Sequence, residues 1–466
     1  MSADELAWLS IAEIGRRYRA GTLTPPELVE ALLARIDRLD PKLNAFIHVA
    51  RAEALGEAHK AAAELKAGRD RGPMHGVPYA LKDIVDVKGM ATTCHSKILA
   101  DHVAKQDADV VKRLRTAGAI MLGKVALHEF ATGGPTHDLP WPPARNPWNP
   151  DVHPGGSSSG SGTAVAAGFA PGAIGTDTGG SIRNPSCCCG LVGLKPTYDF
   201  VSRDGVFPLS WSLDHVGPMT RTVEDNALML EAMVPGSFFD ATLRRRRRPD
   251  LVKDLRSGVK GLRIGLLEHF YKEDVPADPR QVAAIEGAAR VLQAQGAIVE
   301  SAKLPSLDEW IACGQKIQGV EQHAVHAAWL RDRPQDYAPV SRSKLSSGAN
   351  VTAAEYAAAT EQRMKLREAL AAALQKYDAL ITLSGHELPV RFDDPDIYAK
   401  YARHGRMPFN LAGNPALAIP TGFTPEGLPL GMQIAGRPYD EGMLYRIAWA
   451  YGEATRWSER RPSLQA

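Results

Sequence analysis

Two segments of this chain set serines among glycines in a way that suits acyl chemistry. GGSSSGSG, residues 155–162, carries Ser157, Ser158 and Ser159, and GTDTGGSIRNPS places Gly179 and Gly180 directly before Ser181. Glycine reaches backbone conformations closed to other residues, so adjacent glycines let successive N–H groups turn toward one point, and main chain alone can then form an oxyanion hole. A nucleophilic Ser181 would sit beside its own stabiliser. Such a serine also needs a base. None of the 14 histidines falls inside either segment, and sequence distance alone neither supports nor excludes a Ser-His-Asp arrangement. Upstream, Lys82 and Asp83 interrupt the apolar runs Val77 to Leu81 and Ile84 to Val87.

Three other patterns fail on their surroundings. Gly156, Ser158 and Gly160 spell G-x-S-x-G, but the nucleophile elbow needs a strand before it, and the preceding NPWNPDVHP has three prolines that cannot join a ladder. No G-K-[ST] closes the segment as a phosphate loop. Ser341 and Lys344 match S-x-x-K, a pattern short enough to arise by chance in a chain of this length. A plain Ser/Gly linker would flex, whereas this stretch continues into small apolar residues that read as buried. Five cysteines, three of them the run Cys187 to Cys189, fit neither a disulfide framework nor paired zinc-ligand spacing and read as reduced, buried thiols.

The elements that must hold these residues alternate between helix and strand. From Thr24 to Phe46, Leu28, Leu32, Ile36 and Leu39 fall on one face behind an N-cap threonine and two prolines, an amphipathic helix. The apolar runs flanking Lys82 read as buried strand and connection. Residues 107–129 read as helix, strand and a further helix start, and this alternation favours an α/β sheet. Residues 133–162 form a stretch rich in Gly, Pro, Ser and Trp that is too long for a mere connector, hence a functional loop. Arg244 to Arg248 read as a solvated loop, LRIGLL as a strand at 262–267, and 280–295 and 353–376 as helices.

With 466 residues, 44% hydrophobic and 23% charged, the chain has an ordinary globular composition. A formal net charge of +2 gives no field that implies nucleic acid as a partner. There is no signal-like apolar region at the N-terminus and no run of about 18 apolar residues, so the expectation is a cytoplasmic protein with no membrane partner.

HPGGSSSGSGTAVAAGFAPGAIGTDTGGSIRNPSCCCGLVGLKPT closely resembles the signature of the amidase signature family, and GVPYALKD resembles that family's lysine motif. LDHVGPMTRTVEDNALML, NLAGNPALAIPTGF and GLPLGMQIAGR extend the resemblance over most of the chain. It implies a single large α/β domain over 1–466, with a central twisted mixed β-sheet covered by helices on both faces. Its parts would be a helical N-terminus to about residue 70, a signature core to about 235, and a C-terminal part from about 260 completing the sheet and pocket. Matched motif by motif, the family's triad falls on Lys82, Ser157 (in a cis peptide) and Ser181. Burial would keep the lysine neutral, Ser157 would relay the proton, and the N–H groups of Thr178, Gly179, Gly180 and Ser181 would hold the oxyanion. Ser158, Ser159, Asp177 and Arg183 would support the loops, and no metal or organic cofactor would be required.

The acyl group is harder to read. The glutamine-hydrolysing subunit of tRNA-dependent amidotransferases is the alternative within the resemblance, with a non-catalytic assembly subunit behind it. Aligned on NLAG, that glutamine-hydrolysing subunit has an aspartate where this chain has Arg403. Gly133, Gly134, Trp141 and Trp148 lie in a loop that also departs from its pattern, and the tryptophans would suit an apolar or aryl acyl group if they line the pocket. The expectation is therefore an amidohydrolase cleaving a small-molecule amide, with carbamates or esters sharing the chemistry, working as a monomer or homodimer without nucleic acid.

Overall fold

Eleven strands join in one mixed sheet in the computed structural model, which describes residues 3–239, 245–248 and 250–464. In chain order the strands are β1 (Phe46–Val49), β2 (Pro78–Lys82), β3 (Ile120–Val125), β4 (Gly172–Asp177), β5 (Val192–Lys195) and β6 (His215–Thr220). They continue with β7 (Ser237–Phe239), β8 (Arg245–Arg247), β9 (Arg263–Leu266), β10 (Ile298–Ser301), β11 (Ala379–Leu383), β12 (Ala416–Phe423) and β13 (Pro429–Ala435). The sheet runs β1-β3-β2-β4-β6-β5-β12-β13-β11-β9-β10, and β7 pairs with β8 in a separate ribbon. Strands from both ends of the chain share one sheet, helices flank it, and the whole is a single large α/β domain.

Its centre is parallel around the lysine. β2 pairs in parallel with β3 on one side and with β4 on the other, and all three are buried along their length, as expected of strands covered on both faces. Leu81 stands opposite Ile174, so Lys82 and Thr176 emerge together at the carboxyl ends of adjacent parallel strands, where open α/β sheets place ligands.

The helix expected from Thr24 to Phe46 spans Pro25–Leu43, with Thr24 and Glu27 as a capping box. Asn44, at φ 53°, ends it in the left-handed region, and Phe46 opens β1 instead. After β3 the further helix start is only one 3₁₀ turn, Glu129–Ala131. The long loop ends at Ser158, where the helix Ser159–Ala166 begins. Gly160 sits so close to the backbone of Ala126 and Ala45 that an added Cβ would lie 2.4 Å from the Ala126 nitrogen, so only glycine fits there. The arginine run corrects one expectation: Arg245–Arg247 form the exposed strand β8, paired with β7, rather than a loop, and Arg244 lies outside the described residues. The 26-residue helix Leu307–Asp332 was not among the expected helices, although Ser306 caps Glu309 at its start. No described helix is long and apolar enough to cross a membrane. All five cysteines are buried and free.

Candidate active site

Lys82 is fully buried, and its Nζ reaches Ser157 Oγ at 2.9 Å, Ser158 Oγ at 2.9 Å and Thr176 Oγ1 at 2.7 Å. The adjacent acid does not serve it. Asp83 is taken by Lys124, whose Nζ lies 2.5 Å away, and by the Thr93 backbone N–H and hydroxyl. Among the described residues no carboxylate lies within ion-pairing distance of Lys82. Burial therefore dominates and pushes its amine down to about 7, with only partial opposition from the more distant Asp177 and Asp214. A neutral amine has two hydrogens and one lone pair for these three hydroxyls. Ser158 spends its own proton on the Thr176 carbonyl at 3.2 Å, so the hydroxyl that donates to the lysine lone pair is that of Ser157 or Thr176.

Ser157 is held from several sides. The Gly156–Ser157 peptide is cis. Gly156 N–H donates to Asn184 Oδ1 at 2.9 Å, its carbonyl accepts from Tyr401 OH at 2.6 Å, and the Ser157 carbonyl accepts from His128 N–H at 3.0 Å. The Ser181 carbonyl accepts from Ser158 N–H at 3.3 Å, which ties the two serine segments together beside Lys82.

The loop carrying Ser181 is wound around Asp177. That carboxylate accepts from the N–H groups of Gly180 (2.8 Å) and Ile182 (3.2 Å), from Arg183 Nη2 (3.0 Å) and Nε (3.1 Å), and from Asn410 Nδ2 (2.8 Å). Burial alone would raise its pKa, but the Arg183 charge and these donors hold it far below the usual carboxylate range. Its contribution to stability is thus present above the ordinary carboxylate pKa and lost only as pH falls below it. Asp177→Asn leaves Arg183 buried without a counter-charge and is expected to cost about 3–5 kcal/mol, measured by urea unfolding at pH 7. The Gly180 N–H, committed to Asp177, leaves the expected set of oxyanion donors. Thr178, Gly179 and Ser181 remain in it.

Thr178 is fixed in turn by its hydroxyl, which donates to Asp214 Oδ1 at 2.6 Å. Burial raises Asp214 to about 6 despite that bond and the backbone donors of Leu209 and Ser210. A cavity of about 140 Å³ opens here between Ile84, Ala131, Thr176, Thr178, Phe207 and Trp211. Thr176 and Asp214 went unnoticed in the sequence. Register with β2 places the first and a distant loop brings in the second.

The expected pocket residues do not gather at this cavity. Trp148 donates its indole N–H to the Cys189 carbonyl at 2.9 Å and packs on Phe423. Trp141 meets His95 edge-on and walls a surface cleft with Ile36 and Asp40. Gly133 lies against Ser341, and Gly134 against the Tyr398 ring. Ser159 heads its helix and is buried. Ser341, of the S-x-x-K pattern, is buried against Gly133.

Comparison with known proteins identifies the family and corrects the expected substrate. A family model described as Amidase matches residues 27–445. A glutamyl-tRNA(Gln) amidotransferase subunit from Symbiobacterium thermophilum is 38% identical over 98% of this chain and 99% of its own. The solved glutamyl-tRNA(Gln) amidotransferase subunit from Thermotoga maritima superposes with a TM-score of 0.79 at 32% identity, covering 100% of this chain and 98% of that one. The native peptide amidase of Stenotrophomonas maltophilia superposes with a TM-score of 0.86 at 32% identity, covering 98% and 99%. Further relatives at 35–37% identity carry the same amidotransferase name. They overturn the expectation of a small-molecule amidase working as a monomer or homodimer without nucleic acid, and favour the amidotransferase alternative. The structure removes one of the two grounds for preferring a small amide, the tryptophans; at the other, Arg403 donates through Nε to Glu387 Oε1 at 2.7 Å, so its charge is paired. Neither tryptophan reaches the cavity beside Thr176 and Thr178.

Proposed function

The chain belongs to the Amidase family, and from that premise we propose that it is the glutamine-hydrolysing subunit of an amidotransferase acting on a tRNA-linked glutamyl group. The observation that carries the catalytic half is the buried Lys82 amine, without a counter-ion and lowered to about 7, in contact with the Ser157 hydroxyl. The names and full-length similarity of the relatives support the choice of glutamine and of a tRNA-bound acceptor.

In the cycle Ser181 Oγ attacks the side-chain carboxamide carbon of glutamine while its proton passes to Ser157, whose own proton moves to Lys82. The oxyanion is held by the N–H groups of Thr178, Gly179 and Ser181. The carbon–nitrogen bond breaks as the proton returns through Ser157 to the leaving nitrogen, releasing ammonia and leaving a glutamyl ester on Ser181. Water, activated by the same Ser157–Lys82 pair, cleaves that ester to glutamate and restores the serine. Asp177 and Arg183 act as positioning residues by shaping the loop, and Ser158 orients Lys82. Ammonia passes to an activated glutamyl-tRNA held with a partner chain.

Ammonia release from L-glutamine is the direct test, run beside primary amides, anilides, carbamates and aryl esters. Glutamine is expected to give the highest kcat/KM. Turnover of anilides or esters with glutamine inert would overturn the reading.

A further inference from the structure

A five-residue helix, Ile397–Tyr401, bonds to the long loop near both of its ends through two tyrosines. Tyr398 and Tyr401 stand three positions apart and so fall on one side of the helix. Tyr398 OH donates to the Pro135 carbonyl at 3.0 Å, and its ring lies against Gly134, where an added Cβ would come within 2.7 Å of it. Tyr401 OH donates to the Gly156 carbonyl at 2.6 Å. The flanking chain is fastened independently. Lys400 pairs with Asp394 at 2.6 Å, Arg403 with Glu387 at 2.7 Å, and the Gly405 N–H donates to the Ser384 carbonyl at 3.2 Å. The phenol thus reaches Gly156 from a segment held by its own contacts.

Gly156 has no side chain by which to be held. The ring of His128 fills that space, 2.2 Å from where a Cβ would stand, so the peptide that precedes Ser157 is fixed by packing on that ring and by its own polar atoms. Its N–H is bound by Asn184, on the helix that follows Ser181, and among the described residues its carbonyl has the Tyr401 hydroxyl as its one donor. Burial around the phenol raises its pKa beyond the usual tyrosine range, so the donor keeps its proton where Lys82 has lost its own. Ser157 Oγ hangs from the next residue and stands 2.9 Å from Lys82 Nζ. Proton transfer through a single hydroxyl slows steeply when that hydroxyl is displaced by roughly 1 Å.

We propose that Tyr401 is a positioning residue for proton transfer: by holding the Gly156 carbonyl it sets where Ser157 Oγ stands between Ser181 and Lys82. It acts through Ser157 and touches neither the substrate nor the reacting atoms. The role rests on the Ser157 relay of the proposed cycle, and not on glutamine as the acyl donor.

Tyr401→Phe deletes the donor and keeps the ring against His128 and His153, whose centroids lie 5.8 and 5.6 Å away. Fluorophosphonate labelling of Ser181 above pH 7 is expected to slow by about 10-fold, the scale of one hydrogen bond felt in the transition state. The kcat for ammonia release from L-glutamine should fall by a similar factor, with KM within about twofold of wild type. Tyr401→4-aminophenylalanine restores an N–H donor at the same place and should bring labelling back to within about threefold of wild type. Tyr398→Phe, which frees the Pro135 carbonyl instead, should label within about twofold of wild type. Unchanged labelling in Tyr401→Phe, equal slowing in Tyr398→Phe, or a raised KM at unchanged kcat overturns the role. So does a Tyr401→Phe protein that loses its circular dichroism together with its labelling, since the hydroxyl then holds the fold. Slowed labelling with L-glutamine inert upholds Tyr401 and defeats the glutamine reading alone. Wild-type protein left unlabelled at Ser181 defeats the relay, and Tyr401 with it.

Discussion

Replacing Lys82 with alanine is expected to lower kcat for amide hydrolysis by about 10⁴-fold, the scale on which removal of one member of a hydrolytic triad is felt. Among the described residues, no other base is hydrogen-bonded to the three hydroxyls that surround its amine. His128 meets Gly156 through its ring, and burial holds it well below its ordinary pKa and neutral. It does not stand where Lys82 Nζ meets Ser157 Oγ. The fold should survive, because the vacated space is polar and large enough for water to satisfy Ser157, Ser158 and Thr176. Steady-state kinetics with circular dichroism separate the two effects. The same lysine fixes the pH dependence in the wild type. Only the deprotonated amine can accept a proton, and burial has moved that deprotonation from the ordinary lysine range down to about 7. The rate should therefore rise with pH through about 7 and level off above it. A rate still climbing toward pH 10 would mean that Lys82 is solvated and charged in the working enzyme.

Ser181→Ala is expected to reduce turnover at least as far as loss of the lysine, because without the hydroxyl no acyl-enzyme forms and only the binding and oxyanion groups remain. The variant should unfold at the wild-type urea concentration. Ser181 Oγ takes no part in the hydrogen bonds that wind the loop around Asp177; those come from the N–H groups of Gly180 and Ile182 and the side chains of Arg183 and Asn410. Stability lost together with activity would assign Ser181 a structural role instead. Single-turnover measurement of ammonia release checks the chemical step directly.

The candidate site was readable in the sequence to the extent that its chemistry is local. Serines among glycines and a lysine inside apolar sequence announce themselves by type and neighbour, and the structure brings Lys82 and Ser157 within 2.9 Å. Thr176 carries no such mark. Its hydroxyl meets Lys82 because β2 and β4 pair in parallel with Leu81 opposite Ile174, and register is a property of the assembled sheet. Tyr401 stands 245 positions after Gly156 in sequence, and only the packing of its helix on the long loop brings its hydroxyl to the Gly156 carbonyl. Trp141 and Trp148 mislead in the opposite way, since composition marks an aromatic loop without giving the direction of its side chains. The α/β class follows from alternating periodicities, whereas the strand order, with β12 beside β5 and β9 beside β11, depends on contacts far apart in the chain. Arg245–Arg247 show a related limit: a charged run reads as solvated, and so it is, but its backbone still pairs as a strand.

Ser181 as nucleophile and a neutral, buried Lys82 as its base stand or fall together in one measurement. Labelling with a fluorophosphonate, followed by peptide mass spectrometry, reads both at once. The modified residue is predicted to be Ser181, with a labelling rate that rises through pH 7 in the wild type and is lost in Lys82→Ala. An unlabelled wild type, a label on any other residue, or equal labelling of Lys82→Ala would contradict these assignments.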